Sequence, residues 1–459
     1  MKQFFIGVDV SEARFDMAFR DTNGQAVRPD SSFSNCPDGI RDLIGCCIAT
    51  ASLIGKRTKI VIGMESTSNF HKNLASALYS SKRKFEVHVI NPLTIKQFKK
   101  MHLKVYKTDK LDAHMIALYL AKMTPKASFQ PLPGQEELKE ITRLRRSYQE
   151  ETTKFKNRLR RLLRIYFPGY KKLLGTKISV KFLVAFSELN SPEEILSYDM
   201  TDLANTSIAC RHKIGTPFAK KLFTLAQKAP VKSIPKGNSL VIKWTAERLL
   251  QLQSQIKILD KEIISMLEAF FPAHNLHSIP GIGPISIATI IAETGDIKRF
   301  STPEKFIGYV GLYPVVWESG EMKVRFQMTR KGNKSLKMTF LVASAAARRF
   351  NPVIRNMYDR LRNRGKSKKA AGGAIARKLA TIAFTILNND EAWDPKKAVA
   401  GLIKSQQMAE EYIKKENRLP FEVIPQYAVS AASSSSEDNS RQLCSLESII
   451  QSGGNIENP

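Results

Sequence analysis

Two heptad runs constrain this chain more than any other feature. The first is Leu138, Ile141, Arg145, Tyr148, Thr152, Phe155, Leu159, Leu162 and Tyr166. The second is Leu249, Leu252, Ile256, Leu259, Ile263, Met266 and Phe270. Side chains spaced alternately three and four apart fall on one stripe of a helix, and a strand cannot use that period. The runs predict two long helices, packed as an antiparallel hairpin or as a coiled coil between molecules. An ordinary amphipathic pair inside a bundle has the same period. The stretch between them, Gly169 to Gly237, is moderately helical and suggests no role.

Before the heptads the period changes to that of strands. Phe4–Val10, Arg14–Arg20, Lys59–Met64 and Phe85–Ile90 are short apolar or alternating runs, and helical stretches cover Gly39–Ala51, Phe70–Ser80 and Asp109–Lys122. Asp21-Thr22-Asn23-Gly24 is a hairpin turn signal, and Asn91-Pro92 ends a strand. This alternation predicts an α/β domain with a mixed sheet over residues 1–127. A helical region follows over 128–270 and a mainly helical domain over 271–395. The latter opens on Ser278-Ile279-Pro280-Gly281-Ile282-Gly283-Pro284 and an apolar helix. Gly-x-Gly between helices is the turn of a helix-hairpin-helix, whose N–H groups can meet a phosphate. A tight helical turn needs glycine for the same reason. Residues 396–459 form a tail, expected to be disordered from about residue 430.

Composition narrows the function. The chain has 459 residues, with 72 Lys or Arg against 42 Asp or Glu, a net charge of +30. Such an excess selects a polyanionic partner, nucleic acid or an anionic membrane. No stretch approaches 18 uninterrupted apolar residues, so no membrane span is expected. The short start Met1–Asp9 lacks the features of a signal peptide. The five cysteines form no C-x-x-C pair, which fits a reducing cytosol without disulfides. No P-loop motif occurs.

Four acids stand out by position. Asp9 lies at the end of the first strand and Glu65 ends the strand Lys59–Met64. Asp109 and Asp112 share one face at a helix start. Acids at neighbouring strand ends, met by acids on one helix face, suit two Mg²⁺ ions for in-line attack on phosphate. Any one of them alone could be a solvated charge or a helix-start residue.

The strings Ile6-Gly7-Val8-Asp9-Val10-Ser11, Gly63-Met64-Glu65-Ser66-Thr67 and Lys107-Thr108-Asp109-Lys110-Leu111-Asp112-Ala113 resemble a RuvC-type DEDD domain. Ile279–Gly283 and Tyr309-Val310-Gly311-Leu312-Tyr313-Pro314 resemble the C-terminal domain that accompanies it. The family is the transposases of insertion-sequence family 110, with the related Piv DNA invertases. The resemblance implies an RNase H-like N-terminal fold and a Mg²⁺-dependent DNA recombinase. It implies, for some members, guidance by a structured noncoding bridge RNA. It also implies a homo-oligomer, dimer or tetramer, joined through the coiled-coil helices, and a nucleoid-associated protein of the cytoplasm. It adds a nucleophile, Ser319 of Ser319-Gly320, which would form a covalent phosphoserine. One departure is Met328-Thr329-Arg330-Lys331 before Gly332-Asn333, where the family commonly has Ile-Ser-Lys.

Downstream of Ser319 the charge concentrates. Between Gly320 and Lys378 there are 17 basic residues against Glu321 and Asp359, a net of +15. Among them Lys323, Arg325, Arg330, Lys331, Lys334, Arg348, Arg349, Arg362, Arg364, Lys366, Lys368 and Lys369 are the expected nucleic-acid contacts. A basic run is usually a solvated face, but interleaving with Phe326, Phe340, Phe350 and Tyr358 beside the candidate nucleophile favours a phosphate-tracking surface. The helix Gln135–Phe167 adds ten basic against five acidic residues and is a further candidate for contact with guide RNA or DNA. The competing functions are a RuvC-like structure-specific nuclease or a site-specific invertase that uses the metal site, and a basic scaffold with no chemistry.

Overall fold

β1 (Gln3–Val10) and β2 (Arg14–Arg20) pair antiparallel across a tight turn, closed by the Ser11 N–H to the Arg14 carbonyl at 3.0 Å. The computed structural model describes residues 2–395 apart from 56, 67–68, 103–108, 126–133, 206, 209–211, 214, 232, 272–274 and 316–326. After β2 come β3 (Ser31–Ser34), α1 (Pro37–Ile54), β4 (Lys59–Glu65), α2 (His71–Ser80), β5 (Phe85–Ile90), α3 (Pro92–Met101) and α4 (Asp109–Met123). The sheet order is β3-β2-β1-β4-β5, with β4 and β5 parallel to β1. A mixed sheet is therefore present, as the alternation predicts.

Two turn signals are present and do more than expected. Asp21–Gly24 turns the chain back on β2: the Asp21 carboxylate accepts from the Asn23 and Gln25 N–H groups, Ala26 bridges Arg20 antiparallel, and β3 continues the antiparallel pairing from Ser31. Asn91-Pro92 does end β5, and it also starts a helix. Asn91 Oδ1 accepts from the Leu93 N–H at 2.9 Å and Pro92 occupies the first helical position.

One face of the sheet rests on α4 so closely that glycine is required. A Cβ on Gly7 would lie 1.9 Å from the Ala113 carbonyl oxygen and 2.5 Å from the Ala117 nitrogen. On Gly63 it would meet Leu120 and Ile116. Gly7→Ala should therefore cost about 1–3 kcal/mol by overpacking, read as a lower melting temperature. An unchanged melting temperature would show that α4 can shift freely. A relay also ties α4 to the sheet. Arg20 Nη2 donates to His114 Nδ1 at 2.9 Å, so the Nε2–H carries the proton to Asp30 Oδ2, also at 2.9 Å.

The second unit begins at Pro131. It runs α5 (Gln135–Tyr166), α6 (Tyr170–Leu174), α7 (Val180–Glu188), α8 (Pro192–Ser197), α9 (Met200–Asn205), β6 (Ser207–Ile208), β7 (His212–Lys213), α10 (Thr216–Gln227), α11 (Lys236–Phe270), α12 (Pro284–Thr294), α13 (Pro303–Val310), β8 (Pro314–Val315), β9 (Gln327–Met328), α14 (Lys334–Phe350), α15 (Pro352–Asn363) and α16 (Lys368–Asn389).

The two heptad helices pair with each other inside the chain. Arg145 meets Asp260, Arg248 Nη2 meets Glu151 Oε2 at 3.1 Å, and Asn238 donates to the Tyr166 hydroxyl. Partner numbers that fall on one helix as they rise on the other make α5 and α11 antiparallel. Leu138, Leu159, Leu162, Leu249, Leu252, Ile263 and Met266 of the two runs are buried. Two cores form along the pair. One packs the far half of α5 and the start of α11 with α6–α10. The other joins Leu138, Ile263, Met266 and Leu267 to α12–α16.

The glycine motif differs from the expected helix-hairpin-helix. The element before it is a single 3-10 turn, Asn275–Ser278, and α12 follows. Gly281 has φ +96°, and a Cβ there would lie 2.4 Å from the Ala347 Cα. Backbone contact with α14 is thus a sufficient reason for glycine. Among the described residues, α16 alone is long and apolar enough to cross a membrane, although no uninterrupted apolar run occurs. Ala371, Ile375, Ala376, Leu379, Ala380, Ala383 and Phe384 bury that apolar face in the second core.

Candidate active site

Asp9 and Glu65 follow directly on Val8 and Met64, the last registered pair of the parallel strands β1 and β4. Registered neighbours in a sheet point the same way, and alternate residues along a strand share a face. Gly7 and Gly63 both face α4. Two residues on, Asp9 and Glu65 stand on that same side, with Cα atoms about 5 Å apart at the usual strand spacing.

A third acid joins this row. Asp16 of β2 is registered with Asp9 and so faces the same side. It is 5% exposed, and its Oδ2 accepts from Arg14 Nε at 3.0 Å. In the sequence Asp16 is only one polar residue of an alternating strand. The turn between Ser11 and Arg14 is the signal that reveals it, because it sets Asp9 opposite Asp16.

From above, α4 supplies the remaining carboxylates. Asp109 is its first residue, and the Asp109 side chain lies outside the described atoms. Asp112 precedes the Ala113 that rests on Gly7, and its Oδ1 lies 2.6 Å from the Lys99 Nζ of α3. Among the described residues no three acidic, histidine or cysteine side chains converge tightly enough to hold a metal ion. The fold brings Asp9 and Glu65 together and sets Asp112, paired with Lys99, on the covering helix. Carboxylate oxygens are the hard donors that Mg²⁺ selects, so the donor chemistry fits that ion.

Ser319, Lys323 and Arg325 lie outside the described residues, as do Phe326 and the tail beyond residue 395. The two strands that lead to and from residues 316–326 are described. β8 and β9 pair antiparallel, Pro314 with Met328 and Val315 with Gln327. Below them Gly311 (φ +81°) and Gly332 (φ +99°) meet backbone to backbone: a Cβ on Gly332 would lie 2.6 Å from the Gly311 Cα. Positive φ and this close approach both demand glycine.

A buried ionic centre holds that root. The Glu293 carboxylate of α12 is fully buried. It receives Arg143 Nε at 2.6 Å and Nη2 at 2.9 Å from α5, and Asn333 Nδ2 at 2.8 Å. The Tyr309 hydroxyl donates to the Glu293 carbonyl at 3.0 Å, and the Asn333 N–H donates to the Tyr309 carbonyl at 2.8 Å. Asn333 also caps α14. Burial alone would raise the Glu293 carboxyl, but the Arg143 and Asn333 hydrogen bonds hold it below the usual carboxylate range. Sequence reasoning missed this centre. Its signal was a lone Glu in the apolar string Ile287–Thr294.

The basic residues after the ribbon are spread around the helices. Arg330, Lys331, Lys334, Arg348, Arg349, Arg364, Lys368 and Lys369 are exposed, while Arg362 and Lys366 are half-buried. Lys378 is half-buried too, and burial lowers its pKa. The interleaved aromatics do not all share that surface. Phe340 and Tyr358 belong to the core, Tyr358 under the Arg348 guanidinium, and Phe350 is exposed.

The transposase model of the DEDD, IS110 type matches residues 6–168, and the model for transposases of the IS116/IS110/IS902 family matches residues 273–359. The uncharacterized 43.6 kDa protein of insertion element IS110 from Streptomyces coelicolor is 25% identical over 287 residues, 62% of this chain and 71% of that protein. The uncharacterized 44.8 kDa protein of insertion element IS116 from Streptomyces clavuligerus is 25% identical over 296 residues, 63% and 73% of the two chains. The pilin gene-inverting protein of Moraxella lacunata is 24% identical over 397 residues, 86% of this chain and 98% of that protein. The first model spans the carboxylate strands and the second spans the ribbon and its buried root, in the order the motifs require, and the chain belongs to the IS110 family of transposases, enzymes that recombine DNA.

Proposed function

We propose that this transposase cuts and rejoins DNA at an insertion-sequence end through Asp9, Glu65, Asp109 and Asp112, which would hold Mg²⁺, and through Ser319 as nucleophile. The observation that carries the carboxylate part is the placement of Asp9 and Glu65 at one rank and on one face, under the helix that begins Asp109-Lys110-Leu111-Asp112. The sheet order β3-β2-β1-β4-β5 is that of an RNase H-like fold and supports the same reading. Bound Mg²⁺ would neutralise phosphate charge and orient the in-line geometry. Arg14, bonded to Asp16, would offset part of the negative charge that Asp16 adds beside Asp9.

In the serine step the Ser319 oxygen bonds to phosphorus and the phosphorus–deoxyribose oxygen bond breaks. The serine proton passes to a base, and the leaving oxygen takes one up. One phosphodiester replaces another, so a deoxyribose hydroxyl can later attack the phosphoserine and rejoin DNA. The Glu293 centre would position this step by fixing the ribbon root. The exposed bases Arg330, Lys331, Lys334, Arg348, Arg349, Arg364, Lys368 and Lys369, with Lys323, Arg325, Arg362 and Lys366, would hold the DNA. Guidance by a structured bridge RNA is part of the proposal. So is a homo-oligomer through α5 and α11, where Leu144 (44% exposed) and Ile258 (64% exposed) face outward at matching positions of the pair.

The match to the pilin gene-inverting protein favours a second use of the same chemistry, site-specific inversion. The test is a plasmid carrying the element ends, incubated with purified protein and the flanking noncoding RNA in Mg²⁺. Wild type should yield protein–DNA adducts that survive denaturation and disappear with protease. Ser319→Ala should yield none, and adducts persisting in that variant would sink the serine assignment.

A further inference from the structure

We propose that the helical cap built from α6–α10 on the far ends of α5 and α11 is a second nucleic-acid-binding surface, separate from the basic residues after Ser319. It would take a single-stranded polynucleotide, with phosphates on its lysines and arginines and an unpaired base on Trp244.

Charge segregation is the first observation. Residues 152–187 hold ten basic residues and no acid, and residues 203–246 hold eight basic residues and no acid. The five acids of the region are confined to Glu188, Glu193, Glu194, Asp199 and Asp202. One of these, Glu194, is consumed locally in the capping box of α8.

The fold then brings the two acid-free runs together. Both wrap one core: Leu159, Leu162, Tyr170 and Phe182 come from the first run, and Leu222, Leu225, Ile242 and Ala246 from the second. The apolar residues turn inward, so the charges emerge on the outside of a single small body. Arg161 and Arg164 at the end of α5, Lys171 and Lys172 on α6, and Lys220 and Lys221 on α10 are all exposed, and α6 packs on α10. None of these six makes an ion pair among the described residues. Elsewhere on the same helix, Arg143, Arg145 and Arg146 are all paired with acids. Unpaired like charges on a small body repel one another, and a phosphate backbone removes that repulsion while releasing its own counterions.

The second observation is aromatic. Trp244 on α11 is 60% exposed. The contacts Asn238–Tyr166 and Arg248–Glu151 bracket it, which sets it beside the stretch of α5 that carries Arg158, Arg160 and Arg161. A large aromatic face open to water within a cationic surface is the arrangement that stacks unpaired bases.

The test measures binding, not recombination, so its outcome is independent of Ser319 and of the carboxylate site. Full-length protein in the Asp9→Asn background is titrated with a generic 30-nucleotide single-stranded RNA or DNA over a salt series. Replacing Lys171, Lys172, Lys220 and Lys221 by Glu should weaken binding at least tenfold near 0.1 M salt. It should also flatten the slope of log affinity against log salt by about 0.7 for each phosphate that the protein no longer neutralises. The Gln versions of the same four positions should show the slope change with a smaller loss, and an unchanged thermal melt certifies both folds. Trp244→Ala should weaken single-stranded binding about 5- to 100-fold and duplex binding much less, while Trp244→Phe retains most of it. Unchanged affinity and slope in the four-lysine variants would overturn the proposal. So would equal loss on duplex and single strand for Trp244→Ala, or binding of anionic phosphatidylserine vesicles in place of the oligonucleotide.

Discussion

Asp9→Asn should lower Mg²⁺-dependent strand cleavage by about two to four orders of magnitude, because losing one charged ligand forfeits several kcal/mol of transition-state stabilisation at 1.36 kcal/mol per decade. The loss should appear in the rate at saturating DNA. Binding should change little, since the side chain keeps its size. A thermal melt run beside the cleavage assay separates lost chemistry from lost fold. Cleavage that persists in Asp9→Asn would count against the carboxylate site. Cleavage lost in Asp9→Asn yet retained in Ser319→Ala would point to a hydrolytic nuclease.

Glu293→Ala is the second large expectation. It removes the carboxylate from the half-exposed Arg143 guanidinium and leaves the Asn333 amide without its acceptor, and losing such charge-assisted hydrogen bonds costs about 1.5–3 kcal/mol. The melting temperature should fall by roughly 3–10 °C. Glu293→Gln keeps the shape and one acceptor and should cost less. The acid dependence also has a defined sign. The folded carboxyl is depressed, so its contribution is complete above the unfolded value of about 4.3 and is lost as pH falls through the lower folded value. Wild type should lose stability over that window relative to Glu293→Gln, and parallel pH profiles for the two would refute the linkage. If the centre positions the ribbon, Glu293→Gln should slow adduct formation more than it weakens DNA binding. A purely structural role predicts equal losses after correction for the folded fraction.

What the sequence made legible follows from the reach of local signals. β2 and β5 have the bounds their residues predict, and β1 and β4 differ by one residue, because apolar runs between polar turns are local. The heptads located α5 and α11, but period alone could not say which partner fills a seam, and the structure fills it from the same chain. β3 was missed because Ser31-Ser32-Phe33-Ser34 has almost no apolar content and depends on pairing with β2. Asp9 and Glu65 were legible as acids that end strands. Asp16 and Glu293 were not, because one acquires its neighbours through strand register and the other through Arg143, 150 residues away.

The contact between Tyr166 and Asn238 has a consequence for how this architecture can change over time. An excursion of about seventy residues leaves and re-enters the helix pair at nearly one point. Closing a longer or shorter excursion between such fixed ends changes the entropy only logarithmically with length. The cap can therefore be enlarged, trimmed or exchanged without disturbing the opposite core. The condition is that a replacement still shields Leu159, Leu162 and Leu249 from water. The tip of the helix pair is thus a grafting point, where one recombination engine can acquire different attachments.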